Sequence, residues 1–141
     1  MIWKDQVNGR FKTRKPKFRN GSMVSIKNGG REVHYRSGLE AEIYECLEVI
    51  PEVTRYDVEP IAIDYFFEGK PHKYFPDLTI LYADAKVEIW EIKPENQKDL
   101  PVNIAKWAAA DAYCKSKGWM FTVVTETGLA KLRKIARQTK S

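Results

Sequence analysis

Two carboxylates and an ammonium stand where a pair of buried strands gains nothing from them. In YFPDLTILYADAKVEIWEIKP, Asp77 follows a proline at the head of an apolar run, and Glu91 and Lys93 interrupt a second run that otherwise reads as buried strand. Side chains alternate across a strand, so Glu91 and Lys93 leave by one face while Trp90 and Ile92 enter the other. Ala83-Asp84-Ala85-Lys86 reads as a turn, and counting outward from it in antiparallel register brings Asp77 level with Glu91. Carboxylates side by side in a half-buried sheet repel unless a cation lies between them. A hard divalent ion suits that need, with Asp77, Glu91, the backbone carbonyl of Ile92 and water as oxygen ligands. Mg2+, with Mn2+ as its substitute, would keep exchangeable waters and leave room for phosphate oxygens. Lys93 beside it can orient the attacking water or stabilise charge in the transition state. This is the chemistry of phosphodiester hydrolysis.

Several elements must position these groups. Ser37 and Glu40 form an S-x-x-E capping box, with Leu39, Ile43, Cys46, Leu47 and Ile50 at helical spacing and Pro51 as the stop. Residues 61–67, 72–82 and 87–93, separated by Glu68-Gly69-Lys70-Pro71 and by the second turn, read as a three-strand meander. Asn103 offers a cap for a second helix, and Gly118 is placed to end it. Residues 119–125 form a β-branched and aromatic run, and residues 128–137 a basic terminal helix. The order α-β-β-β-α-β-α, with the last strand returning parallel after a helical crossover, implies an α/β fold. Its mixed sheet of about four strands is flanked by helices on both faces.

The net charge of +5 is unevenly spread: residues 1–36 hold ten Lys/Arg against two acids, and the rest hold 14 against 17. Arg10, Lys12, Arg14, Lys15, Lys17, Arg19 and Arg36 belong to the basic part and read as contacts to nucleic-acid phosphates, whose condensed counterions they would release. Phe11, Phe18 and Trp3 are interleaved there and could stack on bases. Little periodicity marks this stretch beyond a short strand near residues 23–26. We therefore divide the chain into a basic arm, 1–34, and a domain, 35–141.

The chain lacks the apolar run of a membrane span and the apolar core of a secretory signal, so an intracellular site with no membrane partner is expected. Cys46 and Cys114 stand alone as reduced thiols, and His34 and His72 read as surface residues, so neither zinc nor a disulfide framework is implied. Lys106 could touch phosphate, but it reads rather as a solvated helix lysine.

Pro76-Asp77 followed fourteen residues later by Glu91-Ile92-Lys93, with a Glu-bearing helix upstream and a helix–strand pair downstream, resembles the PD-(D/E)XK nuclease superfamily. Within it, YRSGLEAEIYECLE, HKYFPDLTILY, VEIWEIKP and AKWAAADAYCKSKGWMFTVVTE resemble two groups. These are the head-completion nucleases of tailed phages and the N-terminal domain of TnsA-type transposon endonucleases. The resemblance implies a restriction-endonuclease-like core and a Mg2+-dependent endodeoxyribonuclease. Asp77 and Glu91 would be its metal ligands, Glu40 a metal-proximal carboxylate, and Lys93 the catalytic lysine. The AKWAAADAYC helix lacks the Gln-x-x-x-Tyr motif of the superfamily's RecB-like branch. DNA would be the principal partner, with a homodimer and a phage-head or recombination protein as further candidates. The setting would be the host cytoplasm or the virion. The alternatives are a branched-DNA resolvase of the same fold and a non-catalytic DNA-end-binding or head-assembly protein.

Overall fold

Ser37 opens the first helix, as its spacing to Glu40 predicts. In the computed structural model, which describes residues 20–58 and 61–140, α1 runs Gly38–Val49, and the Ser37 hydroxyl accepts the Glu40 N–H at 3.1 Å. Its inner face carries Ala41, Ile43, Tyr44, Cys46 and Leu47 into the core.

Strand structure is already present before Tyr35, in the stretch that reads as arm. Strands β1 (Gly21–Ser25) and β2 (Arg31–Tyr35) pair antiparallel, Met23 opposite Val33. A 3-10 turn over Ile26–Asn28 joins them, closed by Gly29 and Gly30 at positive φ. Met23, Val33 and Tyr35 lie on one face of this hairpin and join the main core. Lys27 then reaches the C-terminal end of α1, where its Nζ donates to the carbonyls of Leu47, at 2.6 Å, and Ile50. A cation on the carbonyls at a helix C-terminal end is favourable. Two glycines and a polar turn hid a docked hairpin inside a stretch that reads as arm. Arg10, Lys12, Arg14, Lys15, Lys17 and Arg19, with Trp3, Phe11 and Phe18, lie outside the described residues.

The main sheet has four strands in the order β3 (Val53–Val58), β6 (Leu78–Tyr82), β7 (Val87–Ile92), β8 (Met120–Val124). The pairs β3–β6 and β6–β7 are antiparallel and β7–β8 is parallel, so the expected mixed sheet is present. The expected meander needs correction. Its first strand is a separate hairpin, β4 (Ile63–Phe67) with β5 (Lys70–Tyr74), and β3 takes its place beside β6. The run 72–82 is broken at Phe75-Pro76-Asp77, because proline brings no N–H to a ladder and restricts the residue before it. Released from the sheet, β4–β5 packs instead on α2 (Pro101–Lys117), where Ile63, Tyr65 and Tyr74 meet Ala110.

Helix α2 starts two residues before the expected cap. Pro101 takes the first turn, where a missing N–H is harmless, and Asn103 sits inside the helix with its amide donating to the Gln97 carbonyl at 2.9 Å. Gly118 ends the helix at φ +74°, as expected. Helix α3 (Glu126–Lys140) packs on α1, and Arg133 ties to Glu42 across that contact. Cys46 and Cys114 are buried free thiols. Among the described residues no helix is long and apolar enough to cross a membrane.

Candidate active site

The register of β6 with β7 assembles the site. Leu78 lies opposite Trp90, so one step outward sets Asp77 opposite Glu91. Trp90 and Ile92 enter the core against α1 and α3, while Glu91 and Lys93 leave by the other face, toward β5 and α2. Asp77 is then fixed by the backbone: its Oδ2 accepts the Ile92 N–H at 2.7 Å. Glu91 is fixed by Tyr74 at the end of β5, whose hydroxyl donates to Oε1 at 2.7 Å. Lys93 Nζ stands 3.7 Å from Glu91 Oε2.

Glu40 arrives from the first turn of α1. Its N–H is held by Ser37, as a cap requires, while its carboxylate turns to Arg36: Oε1 accepts the Arg36 backbone N–H at 2.7 Å, and Oε2 meets Nη2 at 3.3 Å. The same Nη2 lies 2.9 Å from Asp77 Oδ1. Arg36 therefore lies between two carboxylates, at the mouth of a cavity of about 350 Å³. Glu40, Tyr74, Asp77, Glu91, Lys93 and Lys106 share its lining.

Burial dominates the electrostatics. Asp77, Glu91 and Glu40 are each at most 7% exposed. Loss of water, and then the charge of Glu91, push the Asp77 carboxyl up to about 8, against the Ile92 N–H and Arg36, which favour the ionised form. Burial likewise raises Glu91, opposed by the Tyr74 hydrogen bond and by Lys93 and Lys106. Burial and the neighbouring Glu91 charge push the Tyr74 phenol far up, so it stays a donor.

The sequence-predicted residues Glu40, Asp77, Glu91, Ile92, Lys93 and Arg36 all line this one cavity. Tyr74 was missed, and for Lys106 the solvated reading was preferred. Tyr74 reads as one more core aromatic, and only its place three residues before Asp77 hints at more. Lys106 reads as a solvated helix lysine, yet its Nζ lies 5.7 Å from the centre of the Tyr74 ring and its charge is felt by Glu91. His34 and His72 are exposed and lie outside this lining, His72 stacked on Tyr65.

The donors facing the cavity are carboxylate oxygens, the chemistry of a hard divalent cation rather than a soft metal. Among the described residues no three Asp, Glu, His or Cys side chains are gathered as a ready-made metal cluster. The Arg36 guanidinium lies between Glu40 and Asp77. The three carboxylates thus fit such an ion by type and by shared cavity, with Arg36 interposed.

Residues 50–126 match the family model described as TnsA-like endonuclease N terminal. The chain is also similar to the head completion nuclease of Enterobacteria phage T4, 29% identical over 126 residues, covering 72% of this chain and 84% of that protein. Both groups that the sequence resembles are thus represented. The span matched by the family model contains Tyr74, Asp77, Glu91, Ile92, Lys93 and Lys106, and begins after Arg36 and Glu40.

Proposed function

As the chain belongs to the TnsA-like endonuclease N-terminal family, we propose that it is a Mg2+-dependent endonuclease that hydrolyses DNA phosphodiester bonds in phage or mobile-element DNA processing, such as head completion. The observation that carries this reading is the pairing of buried Asp77 with buried Glu91 across neighbouring strands, with the Lys93 ammonium 3.7 Å from Glu91.

Asp77, Glu91 and the Ile92 carbonyl would hold the ion, with Glu40 beside them; Mn2+ would substitute. When bound, such an ion supplies Lewis acidity at the phosphate and a more acidic water. The chain's own residues do the rest. The Ile92 N–H and the Tyr74 hydroxyl orient the two carboxylates, which lowers the reorganisation needed at the moment of reaction. Lys93, half-buried at the cavity wall, orients the attacking water and stabilises negative charge growing on the phosphate. Lys106, in the lining of the same cavity, adds positive potential. The basic residues before position 20 would hold the DNA backbone and give binding its salt dependence.

The test incubates supercoiled, linear, single-stranded and four-way-junction DNA with the protein in Mg2+, Mn2+ or chelator, alongside Asp77→Ala and Lys93→Ala. Metal-dependent cutting by wild type alone is expected. Equal binding without cutting by all three proteins would leave a DNA-end binder. Cutting confined to the junction would identify a resolvase.

A further inference from the structure

Arg36 stands just before α1, and its guanidinium enters the cavity of carboxylates. One nitrogen, Nη2, contacts Asp77 Oδ1 at 2.9 Å and Glu40 Oε2 at 3.3 Å. The backbone N–H of the same residue holds the other Glu40 oxygen at 2.7 Å. Arg36 therefore holds Glu40 through both oxygens and reaches Asp77 from 41 positions away in the chain. Both carboxyl groups are buried, and this guanidinium is a cation within hydrogen-bond reach of both.

A hard divalent cation wants those same oxygens. A guanidinium and a metal cannot share them without repulsion, and the Arg36 side chain, 49% exposed, can withdraw without opening the core. A second observation points to another arrangement of the same groups. The Tyr44 hydroxyl is buried, feels the charges of Glu40 and Asp77, and makes no hydrogen bond. Buried hydroxyls are rarely left without a partner, and Glu40 and Asp77 are the carboxyl groups whose charge this one feels.

We infer that Arg36 is a built-in competitor of the divalent cation: its guanidinium occupies Glu40 Oε2 and Asp77 Oδ1, oxygens that the cation would need. One side chain thereby bridges Glu40 to Asp77 and stands in the way of the cation. This inference rests on the metal-dependent reading above, and its test separates the two.

Mn2+ is titrated calorimetrically into the full wild-type chain and into Arg36→Gln, without DNA. The variant is expected to bind roughly fivefold or more tightly than wild type, the range of a coupling between two mutually exclusive ligands. In chelator it should melt lower than wild type, and Mn2+ should raise its melting temperature by more. Equal or weaker Mn2+ binding by Arg36→Gln overturns the competition while leaving the metal site in place. Failure of both proteins to bind Mn2+ removes the metal-dependent reading, and the competition with it. Should Arg36→Gln not fold, the wild-type Arg36 Nε–H resonance decides. Competition requires it to shift and lose exchange protection as Mg2+ is added, and an unmoved resonance refutes it.

Discussion

The Asp77 carboxylate accepts the backbone N–H of Ile92 at 2.7 Å, so a residue at the mouth of one strand is tethered to the end of its neighbour. That tether joins the candidate site to the β6–β7 register. Moving either strand by one residue would turn Glu91 and Lys93 into the core and leave Asp77 alone. Replacement of Lys93 by alanine is expected to lower the cleavage rate by about 10²–10³-fold, the usual effect of losing one positioned group that stabilises transition-state charge. Lys93 is only half-buried, so the melting temperature should hardly change. Single-turnover cleavage and thermal unfolding of the same preparation check this pair of outcomes, and an unchanged rate would rule out a role for Lys93 in the chemical step.

Tyr74 supplies the donor on Glu91, and Tyr74→Phe removes only that hydroxyl. A buried carboxylate oxygen left without its donor should cost about 1–3 kcal/mol of stability. Because this hydrogen bond holds the Glu91 carboxyl down, its loss should also move the acidic limb of the cleavage pH profile upward. A profile that does not move would mean that Tyr74 serves packing alone.

The Asp77 carboxyl, raised to about 8 in the fold from an ordinary 3.8, makes stability depend on pH. Between those values the folded chain holds a proton that the unfolded chain has released, so the contribution is complete below about pH 4 and is lost as pH rises through about 8. In chelator, the melting temperature should therefore fall from about pH 5 to about pH 9, and Asp77→Asn should flatten the decline. Wild-type protein that gains stability across that window would contradict the raised carboxyl.

Met23 is fully buried although it lies only a few residues into the described chain. Met23→Ala should destabilise the whole domain by about 2–5 kcal/mol, since it leaves a cavity in the main core. Chemical denaturation monitored on the tryptophans measures it. A neutral result would mean that the β1–β2 hairpin does not belong to the folding unit.

Truncation of residues 1–19 removes seven Lys/Arg without touching that hairpin. DNA affinity should fall, and the slope of affinity against salt concentration should flatten, as expected when phosphate contacts are lost. Fluorescence anisotropy over a salt series tests it, with an unaltered slope counting against the arm.

Much of the site was legible because it is local in the chain. Asp77, Glu91 and Lys93 flank a single turn, and alternation along two strands is enough to align them. The Ser37 cap and the Gly118 helix end were legible for the same reason, since both depend on backbone groups a few residues away. Strand β3 was not, because Arg55 and Asp57, paired at 2.9 Å on its exposed face, interrupt the apolar alternation of an edge strand. Tyr74 and Lys106 were hidden by ordinariness, an aromatic and a helix lysine whose roles exist only where β5 and α2 close over Glu91.

By itself the sequence determined the residue types and spacings: a turn that folds two strands back on each other, a carboxylate at each side of it, and a lysine two positions beyond. The physical reason is that periodicity and turn chemistry act over a few residues. Only the tertiary structure decided which strand lies beside β6, that residues 61–74 leave the sheet for α2, and that Arg36 lies between Glu40 and Asp77. Those choices depend on which distant surfaces bury each other and where a buried charge finds its counter-ion, and no local pattern in the chain records either.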